Sequence, residues 1–254
     1  MIELQAFSKS YSSKKDDFSV NNISLIIPKA TITGLIGPNG SGKTTIMKAI
    51  CGFHHATSGK IIISDSDNNK IDNNNTIDIE ENPQQAMNLI GYVPEIPCLP
   101  PDMKVYDFLK YAAASHGIKA ENLEKEIERV SQECSIEKFL SKKIKTLSKG
   151  QKQRVSFAQA LIFDPPNLIL DEPVSGLDPA QIIQMRKLIQ RLAQNKAILM
   201  STHILQEVYS LCSRLYIINE GRLAAEGSEE EIIKNTKSNN LEEAFIKLTS
   251  SSDN

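Results

Sequence analysis

The run Gly37-Pro38-Asn39-Gly40-Ser41-Gly42-Lys43-Thr44-Thr45 carries the most specific chemistry in the chain. It fits G-x-x-x-x-G-K-[ST], the phosphate-binding P-loop. The glycines let the backbone curl until its N–H groups face an anion. Lys43 offers a point charge to β- and γ-phosphates, and Thr44 offers a hydroxyl to magnesium. Such a loop has meaning only between a strand and a helix. Thr31 to Ile36 is β-branched and apolar and reads as the strand; Lys43 to Gly52 reads as the helix, with Ile46, Ala49 and Ile50 on one face. Gly52 stands where a helix-ending glycine belongs. A bare glycine-rich turn is the weaker reading of nine residues in that setting.

Three further segments bear on the same chemistry. Leu168-Ile169-Leu170 is a buried strand that delivers Asp171-Glu172 at its C-terminal end. A carboxylate there is how P-loop folds hold magnesium. Asp171 is expected on the metal through water, and Glu172 is expected to support the metal or polarise a water. Ser148-Lys149-Gly150-Gln151 opens a helix. Ser148 is its N-cap, and such a terminus favours phosphate by about 0.3–1 kcal/mol when exposed. Ser201-Thr202-His203 follows another strand that ends on the same edge, which makes His203 a candidate sensor of the γ-phosphate.

The elements that position these residues are legible in outline. Residues 2–6, 23–27 and 60–63 read as strands, with a polar turn over 8–17 whose single aromatic is Tyr11. Residues 64–82 are rich in Asp and Asn and read as an exposed loop. Leu89 to Val93 reads as a strand, and four prolines follow. Val105 to Ile136 is helical in pattern, with Val105, Phe108, Leu109 and Ala112 on one face and Leu123, Ile127 and Val130 on another. A helix runs from Ser148 to about Phe163, another from Pro179 to Ala193, and a short one starts near Ile204. Strands at 197–201, 215–218 and 222–225 and a C-terminal helix carrying Leu241, Ala244, Phe245 and Leu248 complete the chain; residues 249–254 are expected to form a disordered tail.

Composition narrows the class. The 254 residues are 40% hydrophobic and 24% charged, enough for a sizeable core. A net charge of −2 provides no field for nucleic acid, so none is expected as a partner. Four dispersed cysteines have neither metal spacing nor a disulfide pattern and suit a reducing compartment. No apolar run approaches the roughly 20 residues that span a bilayer, and the first residues do not resemble a signal peptide. A membrane role would need another polypeptide as the anchor.

In order and spacing these segments resemble the ATP-binding subunit of ABC transporters, from about Ile2 to Leu248. Gly37–Thr45 corresponds to the Walker A motif, Leu168–Glu172 to Walker B, Leu147–Gln151 to the signature sequence, Ser175–Asp178 to the D-loop, and His203 to the switch histidine. Tyr11 stands where the family places an aromatic against adenine. Ile90 to Glu95, Thr202 to Val208 and Leu241 to Phe245 resemble the type-2 exporter class. The resemblance implies an α/β P-loop fold with a mixed sheet, an antiparallel β subdomain and a helical subdomain at about 102–163. It implies ATP and magnesium as ligands, with Thr44, Asp171 and Glu95 toward the metal, and Lys43, Glu172 and His203 in hydrolysis. It also implies a second ATP-binding subunit whose Ser148, Lys149, Gly150, Gln151 and Asp178 meet the first subunit's nucleotide. An integral membrane permease would select the cargo, which places the chain on the inner face of the cell membrane.

Two positions depart from the family pattern. Lys149 replaces a signature glycine, and Glu95 replaces the Q-loop glutamine. Ionised, Glu95 accepts but does not donate a hydrogen bond. The competing readings are a soluble regulator acting on ribosomes or DNA, and a nucleotide-binding module without hydrolysis. The first lacks the second cassette, charged linker, coiled-coil or zinc insert of such relatives; the second is opposed by intact Glu172 and His203.

Overall fold

A computed structural model describes residues 1–12, 19–65 and 76–250. The first half contains β1 (Ile2–Lys9), β2 (Val20–Ile27), β3 (Thr31–Ile36), α1 (Lys43–Ile50), β4 (Ser58–Ser64), β5 (Thr76–Asp78), α2 (Pro83–Met87), β6 (Ile90–Val93), α3 (Val105–Ser115) and α4 (Ala120–Cys134). The second half contains α5 (Lys149–Leu161), β7 (Asn167–Asp171), α6 (Pro179–Leu192), β8 (Ala197–Ser201), α7 (Leu205–Leu211), β9 (Arg214–Asn219), β10 (Arg222–Gly227), α8 (Glu229–Thr236) and α9 (Leu241–Thr249).

Two sheets form. The larger has the order β10-β9-β3-β8-β7-β6 and is parallel except for the β9–β10 hairpin. The smaller, β2-β1-β4-β5, is antiparallel. Strand β7 is apolar without alternation because both its faces are covered, as expected of a central parallel strand. Its side chains still divide by face. Leu168 and Leu170, with Ile198 and Met200 of β8, enter the core shared with α3–α6. Ile169, with Ala197 and Leu199, enters the core shared with α1 and the antiparallel sheet. Strand β2 has only one face to bury and alternates, with Ile23, Leu25 and Ile27 inward.

The α/β architecture expected from the sequence is present, with the mixed sheet, the antiparallel sheet and the helices between β6 and β7. That helical pattern resolves into two helices, parted at Gly117, whose φ is +73°. Strand β1 runs on to Lys9 and β2 starts at Val20, so both exceed the ranges expected.

The expected loop over 64–82 needs correction at its end. Thr76–Asp78 is a strand, paired with β4 through Ile63↔Ile77 and Ser64↔Thr76, and Ile79 is buried. Two isoleucines suffice there because β4 already offers an open edge; the Asp- and Asn-rich context concealed them. Residues 66–75 of that loop lie outside the described residues, as do 13–18 of the polar turn and 251–254 of the expected tail, whose first residue, Thr249, instead closes α9. Helices α2 and α8 had no counterpart in the sequence reading. The signal for α8 was present: Ser228 and Glu231 form a reciprocal capping box. Among the described residues no helix is long and apolar enough to cross a membrane.

Candidate nucleotide site

Parallel pairing places four strand ends at one edge. β3 runs out into Gly37–Gly42, β7 ends at Asp171, β8 ends at Ser201, and β6 leads to Glu95. Open α/β sheets bind ligands outside the carboxyl ends of their strands. A cleft of about 540 Å³ lies there, lined by Asn39, Gly40, Gly42, Lys43, Thr44, Thr45, Glu95, Asp171 and Glu172, with Ser19, Glu220 and Gly221 opposite.

The loop's own geometry accounts for its glycines. A Cβ on Gly37 would stand 2.2 Å from the Ile218 carbonyl oxygen of β9, so no side chain fits. Gly42 has φ +107°, a conformation that L side chains rarely adopt. Gly42 is also the N-cap of α1 and offers no side-chain cap, and the first turn of α1 holds no acid. The first N–H groups of that helix therefore face the cleft without a built-in acceptor, an arrangement suited to an anion. Lys43 is buried, and its Nζ donates to the carbonyls of Gly37 (2.8 Å) and Pro38 (2.9 Å). Burial pulls its ammonium below the usual lysine range, against the opposing pull of Glu172 and Asp171. The buried Ser41 Oγ has no hydrogen-bond partner among the described residues. These donors fit a polyphosphate.

The acidic corner is tightly held. Asp171 Oδ1 accepts the Ser201 hydroxyl at 2.6 Å, and the Glu172 backbone N–H donates to the same hydroxyl at 3.0 Å. Glu172 itself adopts φ +45°. Its Oε1 lies 2.9 Å from His203 Nδ1, joining the ends of β7 and β8. Among the described residues no three His, Cys, Asp or Glu side chains converge as metal ligands. A magnesium ion, which keeps waters and relies on phosphate oxygens beside one or two carboxylates, needs no such cage; Thr44 and Asp171 fit that requirement.

Other expected residues lie elsewhere. Ser148–Gln151 and Asp178 do not line the cleft. Ser148 caps α5 in a reciprocal box with Gln151, and Asp178 caps α6 by accepting the Gln181 N–H at 2.9 Å. Lys149 is exposed and extends over the D-loop, where a Cβ on Gly176 would meet its Nζ at 2.1 Å. The buried Gly150 faces Gln181, whose Oε1 would lie 2.2 Å from an added Cβ. Tyr11 is outside the cleft lining; its exposed ring meets His54 edge-on, with centroids 5.4 Å apart.

Three features were not anticipated from the sequence. Ser201 holds both acids. Buried Glu207 of α7 takes a two-pronged ion pair from Arg186 of α6, at 2.6 and 3.1 Å, tying the helix after the D-loop to the helix after His203. Tyr92 spans two sites: its ring packs edge-on against Phe53 at 5.8 Å in an apolar groove, while burial and the Asp171 carboxylate push its phenol above the usual range. Only the alignment of strands reveals Ser201 and Tyr92. Helix periodicity would have placed Arg186 and Glu207 on two helices without showing that they meet.

Comparison with known proteins agrees with this geometry. The family model described as ABC transporter matches residues 20–175. The chain is 33% identical over 220 residues to the Nod factor export ATP-binding protein I of Burkholderia lata, covering 86% of this chain and 69% of that protein. A solved structure of an ATP-binding subunit of an ABC transporter superposes with a TM-score of 0.83 at 27% identity, over 98% of this chain and 99% of that one. A structure of cbiO1 from Clostridium perfringens, described as part of the ABC transporter complex cbiONQ, gives 0.77 at 26% identity over 93% and 94%. A P-loop edge of this form, an ABC family match over most of the chain and a full-length superposition lead to one assignment: the chain belongs to the ABC transporter family, as an ATP-binding ATPase subunit.

Proposed function

We propose that this chain powers export of a substrate through a separate membrane subunit, and that two ATP-binding subunits share each nucleotide. One observation carries the reading. The cleft holds phosphate donors and both acids, yet Ser148–Gln151 is not part of its lining within the same chain. A single chain therefore presents half of a phosphate site at each of two places. A second ATP-binding subunit, identical or related, completes both.

In this account the N–H groups of Gly37–Thr45 and Lys43 Nζ hold the β- and γ-phosphates, Lys43 leaving its two loop carbonyls to do so. Thr44 and Asp171 hold magnesium, with Glu95 facing the same space. The metal, when bound, supplies charge neutralisation on the phosphate oxygens. Glu172 orients or deprotonates the attacking water, and His203, already joined to Glu172, fixes its direction. Ser148 and Gln151 of the second subunit, at a helix N-terminus, stabilise charge that develops during transfer. Tyr11 stacks on adenine, and Asp178 and Lys149 sit where the two subunits meet.

The membrane subunit docks in the groove of about 460 Å³ lined by Phe53, Met87, Tyr92, Cys98, His116 and Phe163. Phe53 and Met87 are exposed there, and the lining is mainly apolar, as a helix end from a partner requires. The relative named for Nod factor export supports the direction, and cbiO1, described as part of the cbiONQ complex, supports work within a multi-subunit transporter. Docking of that kind places the chain on the inner face of the cell membrane.

The test is ATP turnover by the full chain beside Glu172→Gln. Turnover is expected to fall at least about a hundredfold with ATP binding kept, the scale of a lost general base. Undiminished turnover would remove Glu172 from the mechanism.

A further inference from the structure

The two acids at the end of β7 share one neighbour. Ser201 is the last residue of β8, the strand between the P-loop strand and β7. Register sets it level with Leu35 on one side and Asp171 on the other. It is 1% exposed, so water cannot take over its hydrogen bonds. Its one hydroxyl does two jobs. It donates to Asp171 Oδ1 at 2.6 Å. It accepts the backbone N–H of Glu172 at 3.0 Å. Glu172 is a non-glycine residue at φ +45°, a conformation that persists only where its surroundings impose it.

We propose that Ser201 is a positioning residue for hydrolysis: its hydroxyl sets the Asp171 carboxylate and the left-handed turn at Glu172 together. This rests on the roles given above to Asp171 and Glu172. A hydroxyl can donate and accept at once, which a methyl group cannot. The arrangement couples the two acids mechanically. A shift of β8 relative to β7 moves the Asp171 partner and the Glu172 anchor by one and the same atom, and His203 follows two residues later on the same strand exit. Outer partners of this type are worth about 10–100-fold in metal affinity or activity when removed.

The experiment compares Ser201→Ala, Ser201→Thr and Ser201→Cys in the full chain, with Glu172→Gln as reference. Four quantities are read: kcat and KM for ATP with Mg²⁺, the Mn²⁺ affinity of the ATP-bound chain by electron paramagnetic resonance, and amide exchange of the peptide covering 168–173. For Ser201→Ala, kcat is expected to fall about 10–100-fold with KM within threefold (roughly, since the phosphate donors are untouched). Mn²⁺ binding weakens, and the Glu172 amide loses protection. Ser201→Thr keeps the hydroxyl and restores all three; Ser201→Cys, a weak donor and acceptor of similar size, falls between.

Wild-type kcat, Mn²⁺ affinity and amide protection in Ser201→Ala would overturn the proposal. So would a folded Ser201→Thr as slow as Ser201→Ala. If the added methyl of threonine prevents folding, Ser201→Cys decides: activity equal to Ser201→Ala counts against the hydroxyl. Full turnover in Glu172→Gln would instead overturn the parent reading, whereas an inactive Glu172→Gln beside an unaffected Ser201→Ala would sink the role of Ser201 alone.

Discussion

Lys43 shows how a single residue is prepared for its ligand. Its side chain is buried, and the Gly37 and Pro38 carbonyls hold its ammonium, which in the proposed mechanism they release to phosphate. Holding a cation there costs stability, as its lowered pKa records. The sign follows from linkage. Between the lowered folded value and the unfolded value of about 10.4, the unfolded chain binds more protons, so this group makes stability rise with pH. Lys43→Met is expected to remove that rise in chemical denaturation measured across the alkaline range. It is also expected to leave the ATP-free melting temperature unchanged or higher while abolishing measurable ATP binding. A lower melting temperature in the ATP-free variant would contradict the account. Residue identity at Gly37 follows a different logic, since the Ile218 carbonyl excludes any Cβ.

At the scale of elements, catalysis depends on keeping strand exits and helix starts in fixed relation. The Arg186–Glu207 pair does this for α6 and α7. Glu207 is only 2% exposed, so Arg186→Met leaves a buried carboxylate unpaired. Destabilisation of about 3 kcal/mol is expected, at the lower end because the Arg186 side is partly open to water. Urea denaturation measures it. Since α7 begins two residues beyond His203, turnover should fall further than the folded fraction does. Arg186→Lys keeps charge but not the two-pronged geometry, and should recover only part of the loss. Helix α5 is secured differently, by the Ser148–Gln151 capping box, which leaves the rest of its first turn without an acidic partner. That is why its N-terminus remains receptive to an anion from outside the chain.

For the whole molecule, the decisive feature is separation: phosphate donors line one cleft while the signature turn lies beyond it. Ser148→Arg is expected to keep ATP affinity near normal and abolish turnover, checked by nucleotide-binding fluorescence beside phosphate release. A fully active Ser148→Arg monomer would rule out the shared site. The apolar groove carries the other prediction. Met87→Arg places a charge among Phe53, Tyr92 and Phe163. It should prevent co-purification with the membrane subunit in detergent while ATP binding by the chain alone is kept.

Sequence and structure contributed at different ranges. The local sequence alone determined the P-loop, the strand that presents Asp171 and Glu172, the Ser148 cap and the helix faces, because turn chemistry, capping and periodicity act within a few residues. Neighbouring Asp and Asn hid β5, whose Ile77, with Ile79 just beyond it, matters only against the β4 edge. Helix α8 carries a local signal in Ser228 and Glu231, three residues apart and joined in a capping box. Only tertiary structure decided that Ser201 serves both acids, that Glu207 meets Arg186, and that Tyr92 joins the groove to Asp171. Each of these contacts joins residues on different strands or helices. Their meeting depends on strand order, register and helix packing, and those are set by the burial of two cores on opposite faces of one sheet rather than by any neighbour in the chain.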